Sequence, residues 1–152
     1  IAAIDGALYI LDSGTYDASY NQTGAGVRKY SDGKFSKIAD ATMMAVYGKK
    51  LYLVNSPYGA STISYSIYDT TTGSDTPFTP ENVFSPSKIA VDPVSGNLFI
   101  ASLSEDPETH YPSYTLGGYV NIYDKDGKYL SKFNAGLNVS AIVFKTGTMI
   151  LE

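Results

Sequence analysis

The sequence predicts an all-β chain assembled from repeated four-stranded units. The first observation is a hairpin that occurs three times. "GVRKYSDGKFSKI" (26–38) and "GYVNIYDKDGKYLSKF" (118–133) share a strand, an Asp-Gly-Lys turn and an aromatic strand, and "STISYSIYDTTTGSDTPFT" (61–79) has the same layout around a longer turn. The second is a strand pair ahead of each hairpin, at 2–14, 44–56 and 89–102, with a fourth pair at 141–152. Aligned on Tyr9, Tyr52, Phe99 and Met149, these pairs recur at spacings of 43, 47 and 50 residues. The third is composition: 14 Tyr, 6 Phe and no Trp, with 14 Gly and 7 Pro. Tyr suits a pleated, half-buried surface, while Gly and Pro cut the chain into short pieces. No long window carries apolar residues at helical spacing, so no helix longer than about two turns is expected. Four short strands at such a period read as the blades of a β-propeller. A β-sandwich is the competing architecture, and the matched hairpins favour the propeller.

Lettering each unit A to D, the strand pair supplies A and B, and the hairpin supplies C and D. The units span 1–40, 41–84 and 85–138, with a half unit at 139–152. Strand A of a blade lies nearest the axis, which suits the small apolar runs "SKIAVD" and "VSAIVF"; the strands at 44–47, 89–92 and 140–144 are expected innermost. Strand D lies outermost, and "KFSKI" and "KYLSKF" are accordingly more polar. Asp92-Pro93, with Gly96 closing the turn, joins A to B in the third unit. Asp32-Gly33 and Asp126-Gly127 are expected to occupy equivalent C-to-D turns, because Asp and Gly tolerate left-handed backbone. Asp124 and Asp126 resemble the start of a calcium loop, but the further oxygen ligands and the terminal Glu of such a loop are missing, so they read as turn residues. Three and a half blades do not close a ring of the usual 4 to 8. The chain is therefore expected to be part of a larger propeller of about seven blades.

Charge and composition exclude several function classes. With 11 Lys+Arg against 15 Asp+Glu the net charge is −4, so no positive field exists to hold a nucleic acid. No run approaches the roughly 18 apolar residues of a membrane span, so no transmembrane segment is expected. The absence of cysteine removes disulfides, thiolate catalysis and cysteine-ligated metal sites. His110 is the only histidine, so no His pair can ligate a metal. No metal and no cofactor are expected, and "GASTIS" and "GTMIL" lack the Lys and helix of a phosphate loop. Chance accounts for the sequons at Asn21 and Asn138.

The "SKIAVDPVSGNLFIAS" stretch, with its A-V-D-P-x-S-G-N-L-(F/Y)-(I/V) pattern, and "GYVNIYDKDGKYLSKFNAGLNVSAIVF" resemble the surface-layer-type, YncE-like propeller proteins of Gram-negative gut commensals. The resemblance implies a β-propeller exported as a lipoprotein. It further implies a cell-surface, outer-membrane-anchored location and association with SusC/SusD-type importers in nutrient uptake.

Function is expected where the loops grow. The B-to-C connections span 13–26, 56–61 and 103–118, and two of them are far longer than a hairpin needs. In a propeller all such loops emerge on one face. That face would carry Tyr16, Tyr20, Tyr58, Tyr111 and Tyr114 together with Asp17, Asn21, Gln22, Glu105, Asp106 and His110. Tyrosine offers an apolar ring and a polar tip, which suits stacking on sugars or gripping peptides. Tyr52, Tyr65, Tyr68 and Tyr123 are assigned to strands instead. No catalytic constellation is evident, and His110 reads as a solvated loop histidine. The favoured reading is a non-catalytic binding or accessory propeller for a glycan or peptide. The alternatives are a propeller enzyme, either a lyase built on His110 or a metal-dependent lactonase or hydrolase, and a pure protein-docking scaffold.

Overall fold

The computed structural model describes residues 1–147, which form antiparallel sheets with no helix among them. They divide into two compact units, Ile1–Pro80 and a second that begins at Glu81.

The first unit holds two four-stranded sheets. One is built from β1 (Ala2–Ile4), β2 (Ala7–Asp12), β5 (Gly26–Ser31) and β6 (Lys34–Ala39), in that spatial order. Between β2 and β5 the chain forms a small separate hairpin of β3 (Thr15–Tyr16) and β4 (Gln22–Thr23). The other sheet runs β7 (Met43–Tyr47), β8 (Lys50–Asn55), β9 (Ser64–Asp69) and β10 (Asp75–Pro77). Both orders are A-B-C-D, as the repeat predicts. The two-residue turns Asp5-Gly6 and Asp32-Gly33 have left-handed backbone at both positions, the geometry that matches strand twist in a tight hairpin. The most buried strand of this unit is β8, with Leu51, Tyr52, Leu53 and Val54 excluded from solvent. The D strands β6 and β10 are largely exposed. Ala7, Tyr9, Val27, Ala41, Leu51 and Leu53 form the core, flanked by Ile4, Leu11, Ile38, Met44, Val46 and Tyr68. Each fully buried Leu or Val here contributes about 1.5–3 kcal/mol. At the surface, Lys49 in the β7–β8 turn pairs with Asp5 in the β1–β2 turn at 2.7 Å.

The second unit holds one sheet, β11 (Ser85–Val91), β12 (Leu98–Leu103), β13 (Tyr119–Tyr123) and β14 (Tyr129–Asn134), again in A-B-C-D order. Leu98, Ile100, Ala101 and Leu103 of β12 are buried with Ile89, Val120 and Tyr123. The segment leading into β11 is strapped across this sheet by polar side chains. The Tyr123 hydroxyl donates to the Glu81 carbonyl (2.5 Å) and Asn121 Nδ2 donates to the Asn82 carbonyl (2.8 Å). The amides of Phe84 and Ser85 donate to Ser102 Oγ, and the Phe84 amide also reaches the Tyr119 hydroxyl. Tyr123, Asn121 and Ser102 are buried, and a buried polar group left without a partner costs about 1–3 kcal/mol.

Two expectations require correction. Asp126-Gly127 is not equivalent to Asp32-Gly33. Ser31 pairs with Lys34 across two residues, whereas Tyr123 pairs with Tyr129 across five, and of Asp126 and Gly127 only Gly127 has positive φ. The turn is held by Asp124, whose Oδ1 accepts from the amides of Asp126 and Lys128. Residues 139–147 form no strand, although a strand pair was expected over 141–152 with residues 140–144 innermost; residues 148–152, including Met149, lie outside the described residues. A segment makes no strand where, as here among the described residues, no ladder partner is paired to it. This one is fixed by Ser87 Oγ donating to the Val139 carbonyl (3.0 Å) and by Phe144 packing edge-on to Phe99.

Candidate binding loops

One turn design recurs through the chain. An Asp side chain accepts the amide two residues on, and the carbonyl of the same Asp accepts an amide three or four residues on, so a single residue closes both sides of the loop. Asp69, Asp92 and Asp124 build three such turns, and each places a glycine with positive φ, Gly73, Gly96 or Gly127, at the last bend. Asp17 and Asp106 build the other two, at the tips of the two long B-to-C loops. There the left-handed residue is not glycine but Tyr20 (φ 64°) and His110 (φ 60°).

In the first unit, the β3–β4 hairpin projects Tyr16 and Tyr20. Asp17 Oδ1 accepts from the amides of Ser19 and Asn21, and its Oδ2 accepts from Asn21 Nδ2 at 3.0 Å. These donors, the Asn21 side chain foremost, hold the Asp17 carboxyl below the ordinary carboxylate value. Gln22, the strand partner of Tyr16, ties this loop to the next one. Its amide donates to the Tyr58 carbonyl (2.9 Å), its Oε1 accepts from the Tyr58 amide (3.2 Å), and its Nε2 donates to the Ser13 carbonyl (2.9 Å). Asn21 packs where only a glycine leaves room, since a Cβ on Gly59 would lie 2.3 Å from Asn21 Oδ1. The structure therefore brings Tyr16, Tyr20, Asn21 and Tyr58 together on two joined loops.

In the second unit, the 103–118 loop is a comparable miniature hairpin, bridged at Glu105 and Pro112. Asp106 Oδ1 accepts from the amides of Thr109 and Glu108, which lower its pKa in that order of effect. His110 Nδ1 lies 2.6 Å from Glu105 Oε1, with both side chains exposed. The hydroxyls of the loop serines are engaged elsewhere: Ser104 Oγ donates to the Gly117 carbonyl, and Ser113 Oγ accepts from the amides of Thr115 and Leu116. A His–carboxylate pair orients an imidazole, but a hydrolytic triad also needs a nucleophile hydrogen-bonded to it. No cluster of three or more His, Asp or Glu able to hold a metal is found among the described residues. No helix among them is long and apolar enough to cross a membrane.

Exposure separates the two sets of tyrosines. Tyr16 (57%), Tyr20 (75%), Tyr58 (68%), Tyr111 (73%) and Tyr114 (68%) stand in solvent, while Tyr52 and Tyr123 are fully buried. Glu105, His110, Tyr111 and Tyr114 share one loop of the second unit, and Tyr16, Tyr20, Asn21 and Tyr58 share the joined loops of the first. Asp17 and Asp106 serve their own turns. Sequence reasoning placed Gln22 on the loops without its tie to Tyr58, and it missed Gly59 and the left-handed backbone of Tyr20. Only the Asp-x-x-Tyr-Asn run, aligned with Asp-x-x-Gly-Lys at 124–128, could have revealed that backbone.

Four-stranded antiparallel sheets in A-B-C-D order are the blades of a β-propeller. No protein-family model matches the chain, and no curated protein matches it in sequence. Among solved structures it is similar to a β-propeller chain in the crystal structure of a nidogen/laminin complex, with 16% identity and a TM-score of 0.54, over 88% of this chain and 47% of that one. The chain thus spans about half the length of that structure. At this identity the likeness shows the fold, a β-propeller.

Proposed function

We propose that this chain belongs to a non-catalytic binding propeller whose B-to-C loops hold a glycan or a peptide. The observation that carries the reading is the set of exposed tyrosines Tyr16, Tyr20 and Tyr58 on two loops cross-linked through Gln22. Pre-tied loops pay little ordering entropy on binding, and exposed rings supply contact area. In its finer form the reading is of a cell-surface lipoprotein that assists outer-membrane nutrient uptake beside a SusC/SusD-type importer. The resemblance of "SKIAVDPVSGNLFIAS" to surface-layer-type propellers supports that form. A second reading, docking to a protein partner, is favoured by the neighbouring fold being a component of a protein–protein complex.

The test is calorimetric titration of the full chain with neutral oligosaccharides, a random peptide library and purified importer subunits. The measurement is repeated for Tyr58→Ala and Tyr111→Ala. Each well-buried anchor is expected to cost about 1–2 kcal/mol of binding with melting temperature unchanged. If no ligand distinguishes the variants from the native chain, the binding-face reading is wrong.

A further inference from the structure

Among the described residues, six that are not glycine have positive φ: Asp5, Asp32, Asn82, Asn138, His110 and Tyr20. Asp, Asn and His are the types whose short polar side chains tolerate left-handed backbone, whereas a bulky residue there is an outlier. Tyr20 is therefore the anomaly. The chain itself supplies the comparison, because the corresponding bend in three of the other four Asp turns is a glycine, Gly73, Gly96 or Gly127, and in the fourth is His110. No hydrogen bond or ring contact among the described residues accounts for the tyrosine, and it is 75% exposed. A conformation that disfavours folding, kept for a side chain that the fold does not use, points outward.

The loops around it indicate what lies outward. Residues 13–26 and 56–61 contain no Lys or Arg and a single carboxylate, Asp17. That carboxylate is consumed by Ser19 and Asn21. It stays ionised beside the rings, and the other groups of these loops that face solvent are uncharged: the rings and hydroxyls of Tyr16, Tyr20 and Tyr58, with the Asn21 amide beside them. An acidic peptide meets no cation on these loops, and a basic one meets a single carboxylate already engaged in its own turn, while Asp12, Arg28 and Lys37 stand at the neck of the hairpin and not at its tip. A neutral sugar ring, with apolar C–H faces and a rim of hydroxyls, matches both the rings and the polar tips.

We infer that the joined loops of the first unit take a neutral oligosaccharide and that Tyr20 is a contact residue for it, retained at a glycine position at the expense of stability. The inference rests on the binding-face reading and deepens it by naming the ligand class. The experiment uses the full chain with cellohexaose, xylohexaose and maltohexaose as probes, and compares Tyr20→Gly with Tyr20→Ala. Both variants remove the ring, but only glycine relieves the backbone. At least one hexasaccharide should bind the native chain and lose affinity about tenfold in both variants, as expected for a stacked aromatic anchor. Tyr20→Gly should hold or raise the melting temperature, by up to about 4 °C, and should melt no lower than Tyr20→Ala. A fall in melting temperature for Tyr20→Gly overturns the inference by showing a packing role. Unchanged hexasaccharide affinity in both variants, while Tyr58→Ala weakens it, overturns the role of Tyr20 and leaves the site standing. Binding of peptides but of no hexasaccharide overturns the ligand class, and binding of neither overturns the binding-face reading as well.

Discussion

Gly14 and Gly24 flank the β3–β4 hairpin and make a matched pair. Both have left-handed backbone, with φ of 69° and 74°. An alanine at either position meets the same intrinsic penalty, about 1 kcal/mol or somewhat more, partly offset by a stiffer unfolded chain worth about 0.4–1 kcal/mol. Gly24→Ala should therefore cost between about zero and 1 kcal/mol, since a Cβ there meets nothing within 4 Å. At Gly14 the same Cβ would sit 2.1 Å from the Thr23 carbonyl oxygen and 2.5 Å from the Ala25 nitrogen, both backbone atoms that cannot rotate away. The neck of the hairpin would have to open by more than 1 Å, and forced backbone shifts of that kind add about 1–3 kcal/mol. Gly14→Ala should thus cost about 1–4 kcal/mol, about 1–3 kcal/mol more than Gly24→Ala, and for a chain of this length lower the melting temperature by roughly 2–16 °C, against a few degrees at most for Gly24→Ala. Thermal unfolding followed by near-ultraviolet circular dichroism reads this directly, because tyrosine is the dominant chromophore in a chain without tryptophan. Equal melting temperatures for the two variants would refute the claim that the neck is closed by contact and not by backbone conformation alone.

Two further outcomes follow from bonds already described. Tyr123→Phe removes the hydroxyl that satisfies the Glu81 carbonyl while keeping the buried ring, so it should lower stability by about 1–3 kcal/mol, measured by urea unfolding; no change would mean that water reaches that carbonyl. Asp17 and Asp106 have folded pKa values below the ordinary carboxylate value of about 3.9. The loop order they confer is thus fully present above that value and is lost as pH falls through the lowered one. Amide exchange at Asn21 and Thr109 between pH 5 and 2 should show these loops loosening before the sheets, and loops as protected as the sheets at pH 2 would contradict it.

The fold class was legible because it rests on repetition. Three hairpins at one period signal four-stranded units even where single strands are only three to six residues long, as β1 and β10 are at the short end. The separation of strand tyrosines from loop tyrosines was legible for a similar reason, since Tyr52 and Tyr123 sit inside alternating or apolar runs and Tyr20 and Tyr111 do not. What escaped was governed by counting and by distance. Asp126-Gly127 looks like Asp32-Gly33 as a dipeptide, but the number of residues between paired strands differs, and that number decides which Asp makes the turn. The β3–β4 hairpin has two-residue strands, too short to show alternation. The bond from Gln22 to Tyr58 spans 36 positions and leaves no local trace. Residues 139–147 read as a strand by pattern alone, yet a strand exists only where a partner supplies the ladder.

The strap across the sheet of the second unit has a bearing on how the chain is made. The carbonyl of Glu81 is synthesised 42 residues before the Tyr123 hydroxyl that binds it, and that of Asn82 precedes the Asn121 amide by 39. At the usual pace of about 5–20 residues per second, Glu81 waits roughly 2–8 s on a nascent chain before its partner has been added. Throughout that interval the hairpins of Ile1–Pro80 have all their own residues available, so translation lets the first unit close while the lead-in to β11 is still an untethered tether. Synthesis in this order leaves the residues of Ile1–Pro80 complete before the strap of the second unit can close.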